Sequence, residues 1–224
     1  VFNDFSVKYR SNTPIVLNNI NLEIKGKEKI GVVGRTGSGK STLCLCLFRL
    51  LEACGGNIDI DGIDISKIGL EILRNNLTVI PQEPILINGS IRYNIDPTYK
   101  YTDEEIINKL NELGFEELFE NKDLNYEIGE NGENISVGER QLICIARALI
   151  RKTKIIIMDE ATANIDYKTE ALLQKSLKEG MKDCTVITIE STITQFFKVI
   201  DFSSIFPFIE SLSIIPNERM PVAV

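Results

Sequence analysis

The stretch Gly34-Arg35-Thr36-Gly37-Ser38-Gly39-Lys40-Ser41-Thr42 decides the fold of this chain. Its two glycines five positions apart, followed by Lys and a hydroxyl residue, match the pattern of a phosphate-binding loop. Glycine allows backbone angles that a Cβ forbids, so successive N–H groups turn toward one anion. Lys40 supplies positive charge for the β- and γ-phosphates, and Ser41 offers an oxygen to Mg²⁺. The alternative is a glycine-rich turn without a ligand.

The residues on either side of the loop favour the phosphate-binding interpretation. Residues 28–33 end in an apolar run that is typical of a short buried strand. Residues 41–51 are apolar on nearly all sides and predict a helix, whose positive end would face the same phosphates. Strand, glycine loop and helix is the order that the motif requires.

Composition limits the class of protein. The 224 residues are 43% hydrophobic and 25% charged, which suits one substantial core or two small lobes around one. The net charge of −7 argues against nucleic acid as a partner, because nucleic-acid binding needs a basic face. No uninterrupted apolar run reaches the roughly 18 residues that span a bilayer. The chain starts at Val1 without an initiator Met, so we expect it to be part of a longer protein.

Histidine and cysteine usage narrows the chemistry. The chain has no histidine, which removes Ser-His-Asp and Cys-His catalysis from consideration. The cysteines have neither the pairing of a disulfide framework nor the CxxC spacing of a zinc site, and they indicate a cytosolic setting. They are Cys44, Cys46, Cys54, Cys144 and Cys184.

A second group of candidate site residues ends the apolar run Ile155-Ile156-Ile157-Met158-Asp159-Glu160. Four apolar residues predict a buried strand whose carboxyl end delivers two acids, and ligands bind at that end of parallel strands. Asp159 suits the coordination shell of Mg²⁺, and Glu160 is placed to polarise or deprotonate an attacking water. The alternative is a strand that ends in ordinary solvated acids.

Two weaker signals accompany these. Gln82 follows a short predicted strand at residues 77–80, and its amide oxygen suits Mg²⁺ or the water, although it also reads as a polar residue beside Pro81. Ser136-Val137-Gly138-Glu139 is a capping box that opens a helix. It is also a candidate second anion site, because Gly138 and a helix N-terminus allow close approach of phosphate.

The order of elements predicts an α/β fold of the P-loop NTPase type with a mostly parallel sheet. An antiparallel β segment precedes this core, Gly55-Gly56 interrupts the chain after the loop helix, and a helical subdomain is inserted between strands. We predict a catalytic core over residues 1–82 and 154–189 and a helical subdomain over about 83–153. An atypical tail covers residues 190–224.

Together these motifs resemble the nucleotide-binding domain of an ATP-binding cassette (ABC) transporter. In the family's order, residues 34–42, Gln82, residues 135–141 and residues 155–160 resemble its Walker A, Q-loop, signature and Walker B motifs. The resemblance runs from about residue 1 to Ile189. It extends to Tyr9, placed like the aromatic residue that stacks on adenine, to residues 163–166 as the D-loop, and to residues 127–132, placed like an exporter's segment near the coupling helices.

The resemblance also suggests a subfamily. Gly34-Arg35-Thr36-Gly37, Ile95-Asp96-Pro97 and Ser136-Val137-Gly138 are similar to the second nucleotide-binding domain of the C subfamily, that of the multidrug-resistance-associated proteins. Glu139 stands where glutamine is usual. It places a carboxylate near the position of a partner's phosphate, unless helix capping holds it away.

The family implies a head-to-tail sandwich of two such domains, in which each ATP lies between one Walker A loop and the opposing signature. A second nucleotide-binding domain, from the same chain or a homodimer, and transmembrane domains are the implied partners at the cytoplasmic face of a membrane. The implied cofactors are ATP and Mg²⁺. The implied nucleotide-binding residues are Tyr9, Gly34, Arg35, Thr36, Gly37, Ser38, Gly39, Lys40, Ser41 and Thr42, with Ser136, Gly138 and Glu139 facing the partner's nucleotide. The implied metal ligands are Ser41, Gln82 and Asp159, and the implied catalytic residues are Glu160, Lys40 and Gln82.

The sequence departs from the family after Ile189. Where the family has a histidine that contacts the γ-phosphate, this chain has Ser191, and the tail after it has no recognisable strands. The tail is interpreted as a divergent sheet edge, a disordered end, or a reading frame that left the true one. We therefore expect ATP binding with slow hydrolysis, from an exporter's motor domain or from a regulatory module that senses nucleotide. A chromosome- or repair-type ATPase is disfavoured, because only 96 positions separate Lys40 from Ser136, too few for a long coiled coil.

Overall fold

The computed structural model describes residues 1–34, 37–115, 123–159, 180–190, 198–201 and 214–215. They form two compact units, one made of Val1–Thr78 with Thr185–Val224 and the other of Val79–Cys184. The domain boundaries drawn from the sequence stay predictions. The strands are β1 (Phe2–Val7), β2 (Leu17–Leu22), β3 (Lys29–Val33), β4 (Ala53–Ile60), β5 (Ile63–Asp64), β6 (Leu77–Ile80), β7 (Gly89–Ser90), β8 (Glu127–Ile128), β9 (Ile155–Asp159), β10 (Thr185–Glu190), β11 (Lys198–Asp201) and β12 (Ile214–Ile215). The α-helices are α1 (Lys40–Leu47), α2 (Leu70–Asn75), α3 (Ile91–Ile95), α4 (Asp103–Glu112) and α5 (Val137–Ile150).

The first unit contains the predicted antiparallel sheet, with strand order β2-β1-β4-β5. Phe2, Phe5 and Val7 of β1 are buried and lie opposite Leu22, Ile20 and Leu17 of β2. Side chains alternate along a strand, and the register shift between Phe2 and Phe5 places both phenylalanines on the same buried face as Val7. The N-terminal antiparallel segment of the predicted fold class is therefore confirmed.

The prediction that Gly55-Gly56 interrupts the chain is wrong, because β4 runs through both residues. Gly56 has a left-handed backbone, φ 64°, and a Cβ there would lie 2.1 Å from the carbonyl oxygen of Asn3 in β1. The register between β1 and β4 shifts at this point. Two residues of β1, Asp4 and Phe5, lie opposite the single residue Gly56, so the bulge is in β1 and a side chain on Gly56 would not fit against it.

A second sheet in the same unit places strands in the order β12-β11-β3-β10. β3 runs parallel to both β10 and β11, with Val33 opposite Glu190 and Asp201. The carboxyl ends of these strands therefore meet where residues 34–42 begin. β11 and β12 lie within residues 190–224, and the interpretation of this tail stays a prediction.

Helix α1 ends at Leu47, four residues earlier than the sequence predicts. Arg49 adopts a left-handed backbone, φ 48°, which a continuing helix does not allow. Its guanidinium donates hydrogen bonds of 2.8 Å to the carbonyl oxygens of Ile65 and Ile68. These bonds stabilise the turn of the chain from α1 toward β4.

The second unit carries the helical insertion. Strand β9 lies next to β6, at which the two units divide, and α3, α4 and α5 come between them in the chain. The apolar side chains of α5 that are fully or almost fully buried are Leu142, Ile143, Ile145, Ala146, Ala148, Leu149 and Ile150. Among the described residues, none of the helices has both the length and the apolar character to cross a membrane.

Candidate functional site

The glycine-rich loop leaves a buried strand and bends twice before α1. β3 is buried at Val32 and Val33, and the loop follows directly. Gly37 and Gly39 have φ angles of 84° and 92°, in the region where a Cβ is strained. A Cβ on Gly39 would also lie 2.7 Å from Cδ2 of Leu17. Glycine is thus required here both by the turn and by the closeness of β2, while Arg35 and Thr36 lie outside the described residues.

The N-terminus of α1 differs from those of α3, α4 and α5. Its cap residue is Gly39, with no side-chain hydrogen bond to the cap and no acid in the first turn. By contrast, α3, α4 and α5 are capped by the side chains of Ser90, Thr102 and Ser136. The amide groups and the partial positive charge at the start of α1 are therefore not covered by a capping side chain, as an anion site requires.

Two side chains in the loop fit a bound phosphate. The hydroxyl of Ser38 is 6% exposed and has no hydrogen-bond partner within the described part of the chain. A buried hydroxyl without a partner is unfavourable, and an anionic oxygen would satisfy it. The ammonium of Lys40 donates to the carbonyl oxygen of Gly34, so the positive charge lies at the start of the loop. These residues fit the phosphate group that the sequence predicts.

Tyr9, predicted to stack on adenine, lies against the first turn of α1. Its side chain is 50% exposed, and its hydroxyl is 3.0 Å from Oγ1 of Thr42. Thr42 is buried on the inner side of that turn. The structure thus brings the predicted base-stacking residue and the last residue of the loop together, although 33 positions separate them.

The predicted metal-binding and catalytic residues outside the loop belong to the second unit or to the undescribed parts of the chain. Gln82 is exposed just after β6, and Asp159 ends β9 behind buried Ile156, Ile157 and Met158. Glu160 lies outside the described residues, as do residues 163–166 and Ser191. The predicted metal ligands Ser41, Gln82 and Asp159 therefore stay a prediction.

The predicted signature segment caps α5. The amide of Glu139 donates to Oγ of Ser136 at 3.2 Å, and the amide of Ser136 donates to the carboxylate of Glu139 at 2.7 Å. The capping interpretation is therefore the geometry observed. Gly138 lies between them, partly exposed, on the first turn of the helix.

One face of α5 binds the segment on either side of Gln82, an arrangement that the sequence reasoning missed. Nε2 of Gln141 donates to the carbonyl oxygen of Pro81 at 3.3 Å. The thiol of Cys144 donates to the carbonyl oxygen of Ile85 at 3.8 Å, and burial raises the pKa of that thiol. Arg147 continues the row with a bond of 3.2 Å to the same carbonyl. In the sequence, the row is visible as Gln141, Cys144 and Arg147, spaced three residues apart along a largely apolar helix.

The segment over residues 127–132 is ordered by short elements. β8 pairs with β7, and a 3-10 helix over Glu130–Gly132 follows it. Nη1 of Arg140, on α5, donates to the carbonyl oxygen of Gly132 at 3.0 Å. The segment that the sequence likened to an exporter's coupling region is therefore tied to the first turns of α5.

Comparison with known proteins agrees with these features. A protein-family model described as "ABC transporter" matches residues 17–163. The chain is 50% identical over 190 residues to ATP-binding cassette sub-family C member 2 of Mus musculus, covering 84% of this chain and 12% of that protein. It is 47% identical over 205 residues to sub-family C member 3 of Rattus norvegicus, covering 89% and 13%. It is 46% identical over 215 residues to Multidrug resistance protein mrp-7 of Caenorhabditis elegans, covering 92% and 14%.

The chain thus spans less than a sixth of the length of each of these relatives. The match with the family model covers more than half of the chain, including the phosphate-binding loop, the signature and the Walker B strand. The chain therefore belongs to the ABC transporter family, and its similarity to members of sub-family C confirms the resemblance drawn from its sequence.

Proposed function

We propose that this chain is the ATP-binding and ATP-hydrolysing motor domain of an ABC exporter. The observation that carries the proposal is the buried hydroxyl of Ser38, which has no hydrogen-bond partner among the described residues and lies beside the uncapped N-terminus of α1. A loop built in this way stabilises a phosphate chain and has no evident use without one. The names of the relatives, which include a multidrug resistance protein, support transport as the process that the domain serves.

Different residues bind different parts of the nucleotide. Backbone amides and Ser38 bind phosphate oxygens, Lys40 neutralises the β- and γ-phosphates, and the ring of Tyr9 supports the base. Ser41 and Asp159 offer the hard oxygen ligands that Mg²⁺ prefers, and Gln82 adds an amide oxygen. When bound, Mg²⁺ offsets charge on the phosphates. Glu160 polarises the attacking water and accepts its proton.

The proposed partners follow from the signature. Ser136 and Gly138 start α5 with a partly exposed helix N-terminus, which suits a phosphate presented by another molecule. We infer a head-to-tail pair of nucleotide-binding domains that opens and closes with ATP. Because the chain matches about an eighth of its relatives' length, membrane-spanning parts of a longer protein would receive that motion at the cytoplasmic face.

A second candidate function is a regulatory module that binds ATP and hardly hydrolyses it. Ser191, which follows Glu190 at the end of β10, is the observation that favours it. A serine donates one hydrogen bond, but it is shorter than an imidazole and carries no charge near pH 7. With serine in place of histidine, the domain would still bind ATP, but it would align the attacking water less well.

Single-turnover hydrolysis of labelled ATP, with and without an added partner domain, separates the two functions. A motor domain releases phosphate when the partner is present and stops when Glu160→Gln is introduced. A regulatory module retains bound ATP under both conditions. Rapid hydrolysis by the chain alone, at the level of an intact family member, would contradict the expectation drawn from Ser191.

A further inference from the structure

The hydroxyl of Tyr9 and that of Thr42 form a hydrogen bond of 3.0 Å within the first unit. We propose that this bond fixes the aromatic ring for the base of the nucleotide, so that Thr42 is a positioning residue for Tyr9. The inference rests on the proposed function, because it assumes that a nucleotide occupies the loop. Beyond that function, it explains why the ring of Tyr9 is oriented toward the base.

The backbone of Tyr9 is held on both sides. Before it, β1 ends at Val7, which lies opposite Leu17 of β2. After it, a tight turn closes from Arg10 to Thr13, whose hydroxyl donates to the carbonyl oxygen of Arg10 at 2.9 Å and accepts from its amide at 3.0 Å. The Cα of Tyr9 is therefore fixed, and the rotamer of its half-exposed side chain is what a further contact can select.

Thr42 is a rigid partner for that contact. It is 4% exposed and lies in the first turn of α1. Its branched side chain has few rotamers in a helix. Gly39, three residues earlier, approaches Leu17 so closely that a Cβ would lie 2.7 Å from Cδ2 of that leucine. The start of α1 thus meets the β1–β2 pair at two places, once through packing and once through the hydroxyl of Tyr9.

The bond between Tyr9 and Thr42 should affect the binding of the base and not the binding of the phosphates. An exposed tyrosine that samples several rotamers loses orientational freedom when it stacks on a base, and this weakens binding. A ring already held by Thr42 has lost that freedom before the nucleotide arrives. The affinity for ATP should therefore depend on the hydroxyl of Tyr9, while the affinity for a phosphate chain without a base should not.

The test is the Tyr9→Phe variant of the full 224-residue chain, which keeps the ring and removes the hydroxyl. Titration calorimetry measures the Kd of MgATP and of magnesium tripolyphosphate. We expect MgATP to bind about fivefold more weakly, the size of one neutral hydrogen bond, with tripolyphosphate unchanged. The melting temperature without ligand should fall by a few degrees at most, because the buried hydroxyl of Thr42 loses one partner.

Substitutions at Thr42 complete the test. Thr42→Ser keeps the hydroxyl and should keep the preference for ATP over tripolyphosphate. Thr42→Val removes it and should reduce that preference as much as Tyr9→Phe does. The double variant Tyr9→Phe/Thr42→Val should lose no more of the preference for ATP over tripolyphosphate than either single variant, because both substitutions remove the same bond.

The outcomes separate this inference from the proposed function. If the unaltered chain does not bind MgATP, the proposed function fails and the inference fails with it. If the unaltered chain binds and Tyr9→Phe binds equally well, the inference alone is overturned. An equal loss for tripolyphosphate also overturns it, because the hydroxyl would then act on the loop and not on the base.

Discussion

The carboxylate of Glu139 accepts a hydrogen bond of 2.7 Å from the amide of Ser136, three residues before it at the start of α5. The side chain that replaces the family's usual glutamine is therefore engaged in capping its own helix. It nevertheless leaves a negative charge beside the residues that are proposed to meet a partner's phosphate. Capping stabilises the helix, whereas the charge opposes an incoming anion.

Replacing Glu139 by Gln should keep the capping oxygen and remove the charge. We expect half-maximal association of the chain at an ATP concentration about threefold to tenfold lower, because repulsion at the signature is relieved. Sedimentation across an ATP series, in a Glu160→Gln background that preserves the nucleotide, measures the change.

Glu105 provides the matched control. It forms the same capping box with Thr102 at the start of α4. Glu105→Gln should destabilise α4 by about 0.5 kcal/mol, as Glu139→Gln should destabilise α5. It should leave the ATP concentration for half-maximal association unchanged. Equal association curves for Glu160→Gln with and without Glu139→Gln would show that the charge is of no consequence there.

Alanine at Gly39 should damage the loop more than alanine at Gly37. Both positions have left-handed backbones, so each substitution introduces strain of about 1–2 kcal/mol. Among the residues that the structure describes, a Cβ on Gly37 meets nothing within 4 Å, whereas one on Gly39 meets buried Leu17 at 2.7 Å. Urea unfolding of the two variants measures the difference, and equal losses would show that Leu17 moves aside freely.

Asp96 should stabilise the second unit in a pH-dependent way. Burial to 3% exposure acts to raise its pKa, but bonds from the Tyr101 amide, the Thr98 hydroxyl and Arg92 outweigh this and lower the pKa. Because the pKa is lower in the folded state, the stabilisation is complete above the unfolded value of about 3.9 and is lost as pH falls through the folded value. Asp96→Asn should lose about 1–3 kcal/mol at pH 7 and less near pH 3.

Urea unfolding at both pH values tests this expectation. The control is Asp103→Asn, since Asp103 also accepts a bond from Arg92 but is largely exposed. It should lose less than Asp96→Asn at pH 7, because solvent screens its charge. A loss from Asp96→Asn that stays constant between the two pH values would rule out the charged carboxylate as its source.

Arg147 should be irreplaceable by lysine. Its guanidinium donates to the carbonyl oxygen of Asn94 at 2.6 Å, to Oδ1 of Asn94 at 3.3 Å and to the carbonyl oxygen of Ile85 at 3.2 Å. A lysine ammonium lacks the planar fork that reaches all three acceptors. Arg147→Lys should therefore lose about 1–2 kcal/mol in thermal unfolding. Arg151→Lys, at the exposed end of the same helix, should be nearly neutral, and equal effects would refute the role of the fork.

The sequence could predict what is local. The loop at residues 34–42 and the capping boxes each consist of a few consecutive residues with a characteristic pattern, whereas the roles of Asp159 and Glu160 stay predictions. The need for glycine at position 56 could not be predicted, because its cause is the carbonyl of Asn3, 53 positions earlier on another strand. The bond from Tyr9 to Thr42 and the row along α5 are likewise tertiary. Each depends on contacts between residues that are far apart in the sequence, and the local spacing of residues does not reveal such contacts.

The central claim is that residues 34–42 bind ATP, and equilibrium binding of MgATP to the unaltered chain and to Lys40→Ala tests it most directly. Lys40 supplies the point charge for the β- and γ-phosphates, so its removal should weaken binding by about tenfold or more. The account predicts saturable binding that this variant reduces while the ligand-free melting temperature stays the same. Absence of saturable binding by the unaltered chain, or binding that Lys40→Ala leaves intact, would contradict it.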